Sequence, residues 1–319
     1  MNRITCALVL AFASFATGGT AEAADFVVVG YLPGYRVESV TAAGIGPVTD
    51  LVFFGLEPPA DGRLPDSPVP PAVLRKLHEI KRQAKCRLLF CIGGWNRSKG
   101  FPPLAGNAAA RQRFIQALLE YCQDNDLDGI DYDWEHPKGE DQIRDYGRLL
   151  ADTRDAFRDR QLLVTVAQAG WQDLGEVAYK AVDRVHLMSY DHDFPQATIS
   201  KSRVDVNRLI DWRCPPAKIA LGLPFYGRNN RNEARTYDQL VGQKTPDPKL
   251  DLIDGFAFNG RATIHSKVRF ARTHQLAGVM VWELGQDASR KEASLMNAIR
   301  QGLRSPESKS VNESKAGKD

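Results

Sequence analysis

Charge of one sign is not in excess in this 319-residue chain: 42 Lys and Arg against 39 Asp and Glu leave a net +3. So small a surplus points to neither nucleic acid nor an anionic membrane as a partner. Cysteine is scarce, with five residues and no CxxC pair, so a zinc site is not expected. No serine sits in a GxSxG elbow and no phosphate-binding loop is present, which leaves serine-hydrolase and nucleotide chemistry without support. After the first residues, no apolar stretch approaches the length of a membrane-spanning helix. What remains is ordinary: 43% hydrophobic, 25% charged and 9% aromatic residues, values that exclude a disordered, collagenous or coiled-coil chain.

The N-terminus reads as a processing signal. Arg3 is a short basic region, Ile4 to Thr17 is apolar or small, and Ala21-Glu22-Ala23 fits a small-x-small cleavage site. Residues 1–23 are therefore expected to be removed, leaving a secreted or periplasmic protein with no membrane attachment. At the other end, residues 305–319 carry Pro, Ser, Lys, Glu and Gly with Val311 as the one large apolar residue, and read as a disordered polar tail. Cys6 leaves with the leader. Export permits disulfides among Cys86, Cys91, Cys122 and Cys214 without requiring them. Cys86 and Cys91 lie on one expected strand, roughly 16 Å apart in extended chain, too far for the ~7 Å that a bridge tolerates. Cys86 with Cys122 is the expected pair.

Between these ends, eight short apolar runs recur: 26–32, 51–56, 87–92, 129–134, 162–167, 184–190, 219–224 and 278–282. Their brevity and continuous apolarity suit strands buried on both faces of a parallel sheet. Helical patterns separate most of them. Pro70 and Pro71 open one that runs to about Lys85, with Val73, Leu77 and Ile80 on one face. Phe114, Leu118, Tyr121 and Cys122 mark the next. Ile143, Tyr146, Leu150, Thr153 and Phe157 mark a third, and Met296, Ile299 and Leu303 the last. Eight such units over residues 24–304 predict a closed (β/α)8 TIM barrel of the α/β class. An open doubly wound sheet would want a Gly-rich turn after its first strand, and Gly30-Tyr31-Leu32-Pro33-Gly34 does not supply one. The polar segment 229–256 follows the seventh strand as a long excursion. About 35 residues from Arg228 to Ile264 are short for an independent domain, since most run 50 or more. At most a short insertion is expected there, leaving a shallow, open groove.

The chemistry concentrates in Asp128-Gly129-Ile130-Asp131-Tyr132-Asp133-Trp134-Glu135. Asp131, Asp133 and Glu135 are spaced i, i+2, i+4, which on a strand puts all three on one face, about 6.5–7 Å apart at each step. Ile130, Tyr132 and Trp134 then face the helices. Three carboxylates pointing into a core are costly through desolvation and mutual repulsion, and no structural purpose offsets that cost. Two rival readings stand beside catalysis: a solvated edge strand with its charges outward, and a three-carboxylate Mg2+ or Ca2+ site.

This run resembles the DGxDxDxE motif of glycoside hydrolase family 18, the retaining chitinases and their relatives. Gly93-Gly94-Trp95 resembles the family's SxGG element, with Cys91 standing where the serine would fall. Met188-Ser189-Tyr190-Asp191, the segment Gly222 to Arg228 and the segment Gly278 to Glu283 resemble its motifs on strands six, seven and eight. The resemblance covers nearly the whole chain after the leader. It implies a cofactor-free, metal-free enzyme acting on chitin or another N-acetylglucosamine-containing glycan. The same chemistry on N-glycan cores or peptidoglycan, and a chitin-binding lectin without turnover, remain alternatives. Lectins of this kind lose the acid, and Glu135 is present.

The resemblance also implies roles. Glu135, at the C-terminal end of its strand, becomes the general acid, where barrel enzymes place their chemistry. The family uses the substrate's own acetamido oxygen as nucleophile. Asp133 then orients the acetamido N–H, Asp131 shares a proton with it as a coupled pair, and Tyr190 donates its hydroxyl to the acetamido oxygen. Trp282 becomes the floor of the cleavage subsite, since sugar faces stack on aromatic planes. Asp191 is a sugar-hydroxyl binder or a loop cap. Trp95 and Trp171 stack neighbouring sugars or pack in the core. Tyr31, Tyr226, Arg228 and Met188 line the groove. His136 has no role in the family pattern, and His186, inside a strand, reads as a satisfied core residue.

Overall fold

The computed structural model describes residues 26–305. The expected leader and nearly all of the expected tail lie outside that range. Ser305, where the tail was expected to begin, accepts a hydrogen bond from Arg272 through its carbonyl at 2.6 Å.

Among the described residues, twelve strands and nine α-helices follow one another. The strands are β1 (Val27–Pro33), β2 (Asp50–Leu56), β3 (Arg87–Gly93), β4 (Gly129–Asp133), β5 (Leu163–Ala169), β6 (Arg184–Met188), β7 (Ile219–Pro224), β8 (Tyr226–Arg228), β9 (Ala234–Thr236), β10 (Leu252–Ile253), β11 (Phe256–Ala257) and β12 (Gly278–Trp282). The helices are α1 (Pro71–Ala84), α2 (Phe101–Gly106), α3 (Ala108–Asp124), α4 (Gly139–Phe157), α5 (Gly175–Ala181), α6 (Ile199–Asp211), α7 (Tyr237–Val241), α8 (Arg261–Thr273) and α9 (Leu295–Arg304). Strands β1 to β7 and β12 close into a barrel in the order β1-β12-β7-β6-β5-β4-β3-β2, and every pairing is parallel. These are the eight runs read from the sequence, shifted by one or two residues at their ends. Strand β4 lies between β3 and β5, so the edge-strand reading of the carboxylate run fails.

The alternation along each strand divides the core in two. Outward residues such as Val28, Leu51, Phe90, Ile130, Tyr132, Val164 and Val279 join the inner faces of the helices in one large apolar cluster. Pro71, at the first position of α1, starts a helix that buries Leu77 and Ile80, as the spacing predicted. Inward residues form a smaller cluster of Val27, Val29, Tyr31, Val52, Leu89, Cys91, Ala220 and Met280. At the N-terminal end of the barrel, the fully buried Asp50 holds Arg87 and Arg184, each through an N–O contact of 2.7 Å. That leaves the opposite end free for function.

The excursion after β7 folds into a four-stranded antiparallel sheet, β8 to β11, with α7 beside it. Strands of two or three residues are too short to show an alternation. One expectation needs correction: the Cys86–Cys122 bridge is absent. Cys86, Cys91, Cys122 and Cys214 are all free thiols, and all are buried. Cys122 faces the apolar layer from α3 and packs there as a small hydrophobic residue.

Candidate active site

A cavity of about 630 Å³ opens at the C-terminal end of the barrel, lined among others by Tyr31, Phe54, Asp133, Glu135, Tyr190 and Trp282. Asp133 and Glu135, the last two of the carboxylate row, line it. Asp131 is fully buried inside the barrel. Its Oδ2 accepts the Tyr31 hydroxyl at 2.7 Å and its Oδ1 accepts the Thr165 hydroxyl at 2.6 Å. His186 Nδ1 lies 3.1 Å from Asp131 Oδ1 and 2.8 Å from the Tyr31 oxygen. Tyr31 gives its hydrogen to Asp131, so its oxygen accepts from Nδ1–H. His186 is therefore part of the carboxylate network, and it is not the satisfied core residue expected: its buried Nε2 has no partner.

Asp133, at the end of β4, is 3% exposed, and its Oδ1 has no hydrogen-bond partner. Burial, then the charges of Glu135 and Asp131, push its carboxyl well above the usual range. The strand stops at Asp133, two residues short of Glu135, yet the alternation persists. Trp134 turns outward and stacks on Phe101 with centroids 5.1 Å apart and an interplanar angle of 11°, while Glu135 turns into the cavity. Burial first, and the nearby charge of Asp191 second, raise Glu135 to about 7.

The Gly93-Gly94 turn locks the end of this strand. Gly94 N–H donates to the Asp133 carbonyl at 2.7 Å. Gly93 has φ +103°, and a Cβ there would fall 2.2 Å from the same carbonyl oxygen, so only glycine permits the approach. Ser98, which the sequence did not single out, accepts the Glu135 backbone N–H at 2.9 Å and faces the Gly94 carbonyl at 3.1 Å. Cys91, in the position expected of a serine, pairs in register with Asp131. Burial raises its thiol far above the normal value.

Across the cavity, Tyr190 follows β6 with its hydroxyl 3.9 Å from Met280 Sδ, a weak acceptor. Burial, then Tyr226 and Asp133, hold its phenol well above the ordinary value, so it remains a donor. Asp191 lines the cavity and is fixed by Tyr226 Oη at 2.7 Å and by the Arg228 guanidinium. Tyr226 itself is a correction. It is buried beneath Asp191, against the Tyr190 ring, and does not line the groove. Tyr31, Met188 and Arg228 do line it.

Trp282 ends β12, with its ring edge-on to Phe54 at 4.9 Å and tilted against Tyr31 at 5.7 Å. Phe54 was not anticipated, because nothing in its strand distinguishes it from a core residue. Trp95 and Trp171 are 67% and 62% exposed on the rim, which settles them outside the core. His136 also reaches the cavity, its Nε2 3.6 Å from Glu135 Oε2 and its ring 4.7 Å from that of Trp171. Among the described residues, no group of three or more His, Cys, Asp or Glu side chains is disposed to hold a metal ion.

Residues 8–287 match the family model described as glycosyl hydrolases family 18. The chain belongs to that family. It is a glycosidase built on the family 18 barrel. It is 27% identical over 299 residues to Chitinase 1 of Aphanocladium album, an alignment that covers 74% of this chain and 70% of that one. It is 26% identical over 283 residues to Probable chitinase 2 of Drosophila melanogaster, covering 66% of this chain and 58% of the other. A variant of the family 18 chitinase of Cycas revoluta, solved in complex with (GlcNAc)4, superposes with a TM-score of 0.75 at 21% identity, covering 87% of this chain and 99% of that one. That likeness is one of fold.

Proposed function

We propose that this protein is a retaining chitinase that cleaves β-1,4-linked N-acetylglucosamine by substrate-assisted catalysis. The observation that carries the reading is the pairing of a buried, unpartnered Asp133 Oδ1 with a Glu135 carboxyl raised to about 7 on the same edge of the cavity. Asp133 is two residues before Glu135 on one chain, so both approach a sugar from the same side. A carboxylate nucleophile would have to approach the anomeric carbon from the side opposite the acid, in a pair about 5–5.5 Å apart. Asp133 suits the acetamido group instead.

The sequence of events follows. Glu135 gives its proton to the glycosidic oxygen as the bond to the anomeric carbon breaks. The acetamido carbonyl oxygen of the same sugar forms the new bond, giving an oxazolinium ion. Asp133 Oδ1 accepts the acetamido N–H, and the Tyr190 hydroxyl donates to the acetamido oxygen. The Glu135 carboxylate then takes a proton from a water that attacks the anomeric carbon and reopens the ring. Two displacements retain configuration. Trp282 supplies the apolar floor beneath the sugar. Chitin is the substrate favoured by the company the fold keeps, with (GlcNAc)4 bound in the Cycas revoluta relative. The reading includes export, with residues 1–23 removed.

Matched aryl glycosides bearing a 2-acetamido, 2-amino or 2-hydroxy group test it, with product anomers followed by NMR. Hydrolysis of the 2-acetamido compound alone, with retention, is the expected result. Comparable rates on the 2-hydroxy compound, or an inverted product, would reopen Asp133 as an enzymic nucleophile or base.

A further inference from the structure

The cavity holds a second polar cluster that this mechanism leaves unused. Asp205, in α6, is 4% exposed and lines the cavity wall. Its Oδ2 accepts from Ser189 Oγ at 2.8 Å and from His192 Nε2 at 2.8 Å. The backbone N–H of Ala197 donates to His192 Nδ1 at 3.3 Å. A ring nitrogen that accepts there places the ring hydrogen on Nε2, so His192 is the donor to Asp205. This direction rules out a nucleophilic serine. Ser189 and His192 both give hydrogen bonds to the same carboxylate, and no histidine accepts from the Ser189 hydroxyl, whose other neighbour is Ser202 Oγ at 3.0 Å.

The position of the cluster supplies a different purpose. Ser189 and His192 bracket Tyr190 and Asp191 in the chain, so two bonds to Asp205 grip the segment on either side of them. Arg208, one turn further along α6, donates from Nη1 to the Gly170 carbonyl at 2.8 Å and lies 3.7 Å from Asp205 Oδ1. Gly170 precedes Trp171 on the rim, and the chain passes so close that a Cβ on Gly170 would fall 2.6 Å from Asp205 Cγ. A carboxylate removed from water is costly unless donors satisfy it. Here Ser189 and His192, on the segment that carries Tyr190 and Asp191, supply the donors, and Arg208 on the same helix as Asp205 links the carboxylate to the Gly170 carbonyl of the segment that carries Trp171.

We propose that Asp205 is a positioning residue for the reaction, fixing the Tyr190–Asp191 segment against the Trp171 segment so that the Tyr190 acetamido clamp and the Trp171 ring on the rim keep one separation. The inference rests on the functional reading above and deepens it. Asp205 touches neither substrate nor a reacting atom in this role.

Two substitutions separate its arms. In Asp205→Ala both are lost. In Asp205→Asn the amide oxygen can still accept from Ser189 and His192, while its NH2 turns toward Arg208 and loses that attraction. Kinetics are measured per folded molecule on a 4-methylumbelliferyl chitobioside and on chitotetraose. For Asp205→Ala we expect kcat to fall about 10–100-fold on both, the scale of a reacting group displaced by about 1 Å. For Asp205→Asn we expect a smaller loss of kcat and a KM that rises more for chitotetraose than for the aryl glycoside. If the alanine variant does not fold, the KM-against-kcat split of the asparagine variant carries the test. Wild-type kcat and KM in the folded fraction, with only a lower unfolding temperature, would reduce Asp205 to a structural residue and overturn the inference. Failure of the wild-type protein to cleave the aryl glycoside would overturn the functional reading, and this inference with it.

Discussion

Glu135 sets the pH response of the proposed reaction. It must be protonated to donate, and burial with the charge of Asp191 raises it to about 7. As pH rises through that value the acid fraction falls, so kcat/KM should drop about tenfold per pH unit on the alkaline side. Glu135→Gln keeps the shape without the acidic proton. It should lose about 10²–10⁴-fold in kcat while still binding chitotetraose, read by initial rates and calorimetry together. Near-normal turnover would remove Glu135 from its role. At this scale the sequence was legible where residues repeat a period. Asp131, Asp133 and Glu135 were visible because i, i+2, i+4 is a strand face. Ser98, Phe54, His186 and Asp205 were not, because each comes from a different part of the chain and only closure of the barrel brings it beside the cavity or the carboxylate row.

The elements most exposed to perturbation are β3 and the turn after it. Gly93 passes the Asp133 carbonyl at a distance that leaves no room for a methyl group, and its φ of +103° is unfavourable for any other residue. Gly93→Ala should therefore destabilise the fold by about 1–3 kcal/mol and lower kcat/KM by displacing the end of β4. Gly106→Ala is the control, since a Cβ there meets nothing closer than Asp145 Oδ2 at 3.5 Å. Denaturant unfolding and steady-state kinetics on both variants decide the matter, and equal behaviour would mean that the turn does not place the carboxylates. The eight barrel strands were legible as apolar runs because both of their faces are buried. Their ends were less so: β4 and β6 stop earlier than their apolar runs suggested, since Trp134 and Ser189 are buried without pairing. The strands β8 to β11 escaped notice because strands of two or three residues carry no period.

Across the whole molecule, the insertion after β7 amounts, among the described residues, to the small sheet of β8 to β11 with α7, and Arg228 of that sheet lines the cavity. From so small an insertion we expect an open groove, with cuts within a chain rather than long processive runs. The viscosity of a soluble chitin derivative should fall well before reducing ends accumulate, and dimer as the sole product of the first turnovers would contradict this. Closure of the barrel was legible from the count of βα units, whereas the state of the cysteines was not, because spacing alone says nothing of which thiols meet. Those thiols have a practical consequence. Cys86 is pushed up to about 11 and Cys122 and Cys214 to about 12 by burial, and Cys91 lies at the centre of the barrel. Only a thiolate alkylates readily, so none should react while the barrel is shut. Iodoacetamide then becomes a stopwatch for opening. In mild denaturant, peptide mass spectrometry should find Cys86, Cys91, Cys122 and Cys214 all unlabelled or all labelled in one molecule, with a label on one of them marking the first strand or helix to come loose.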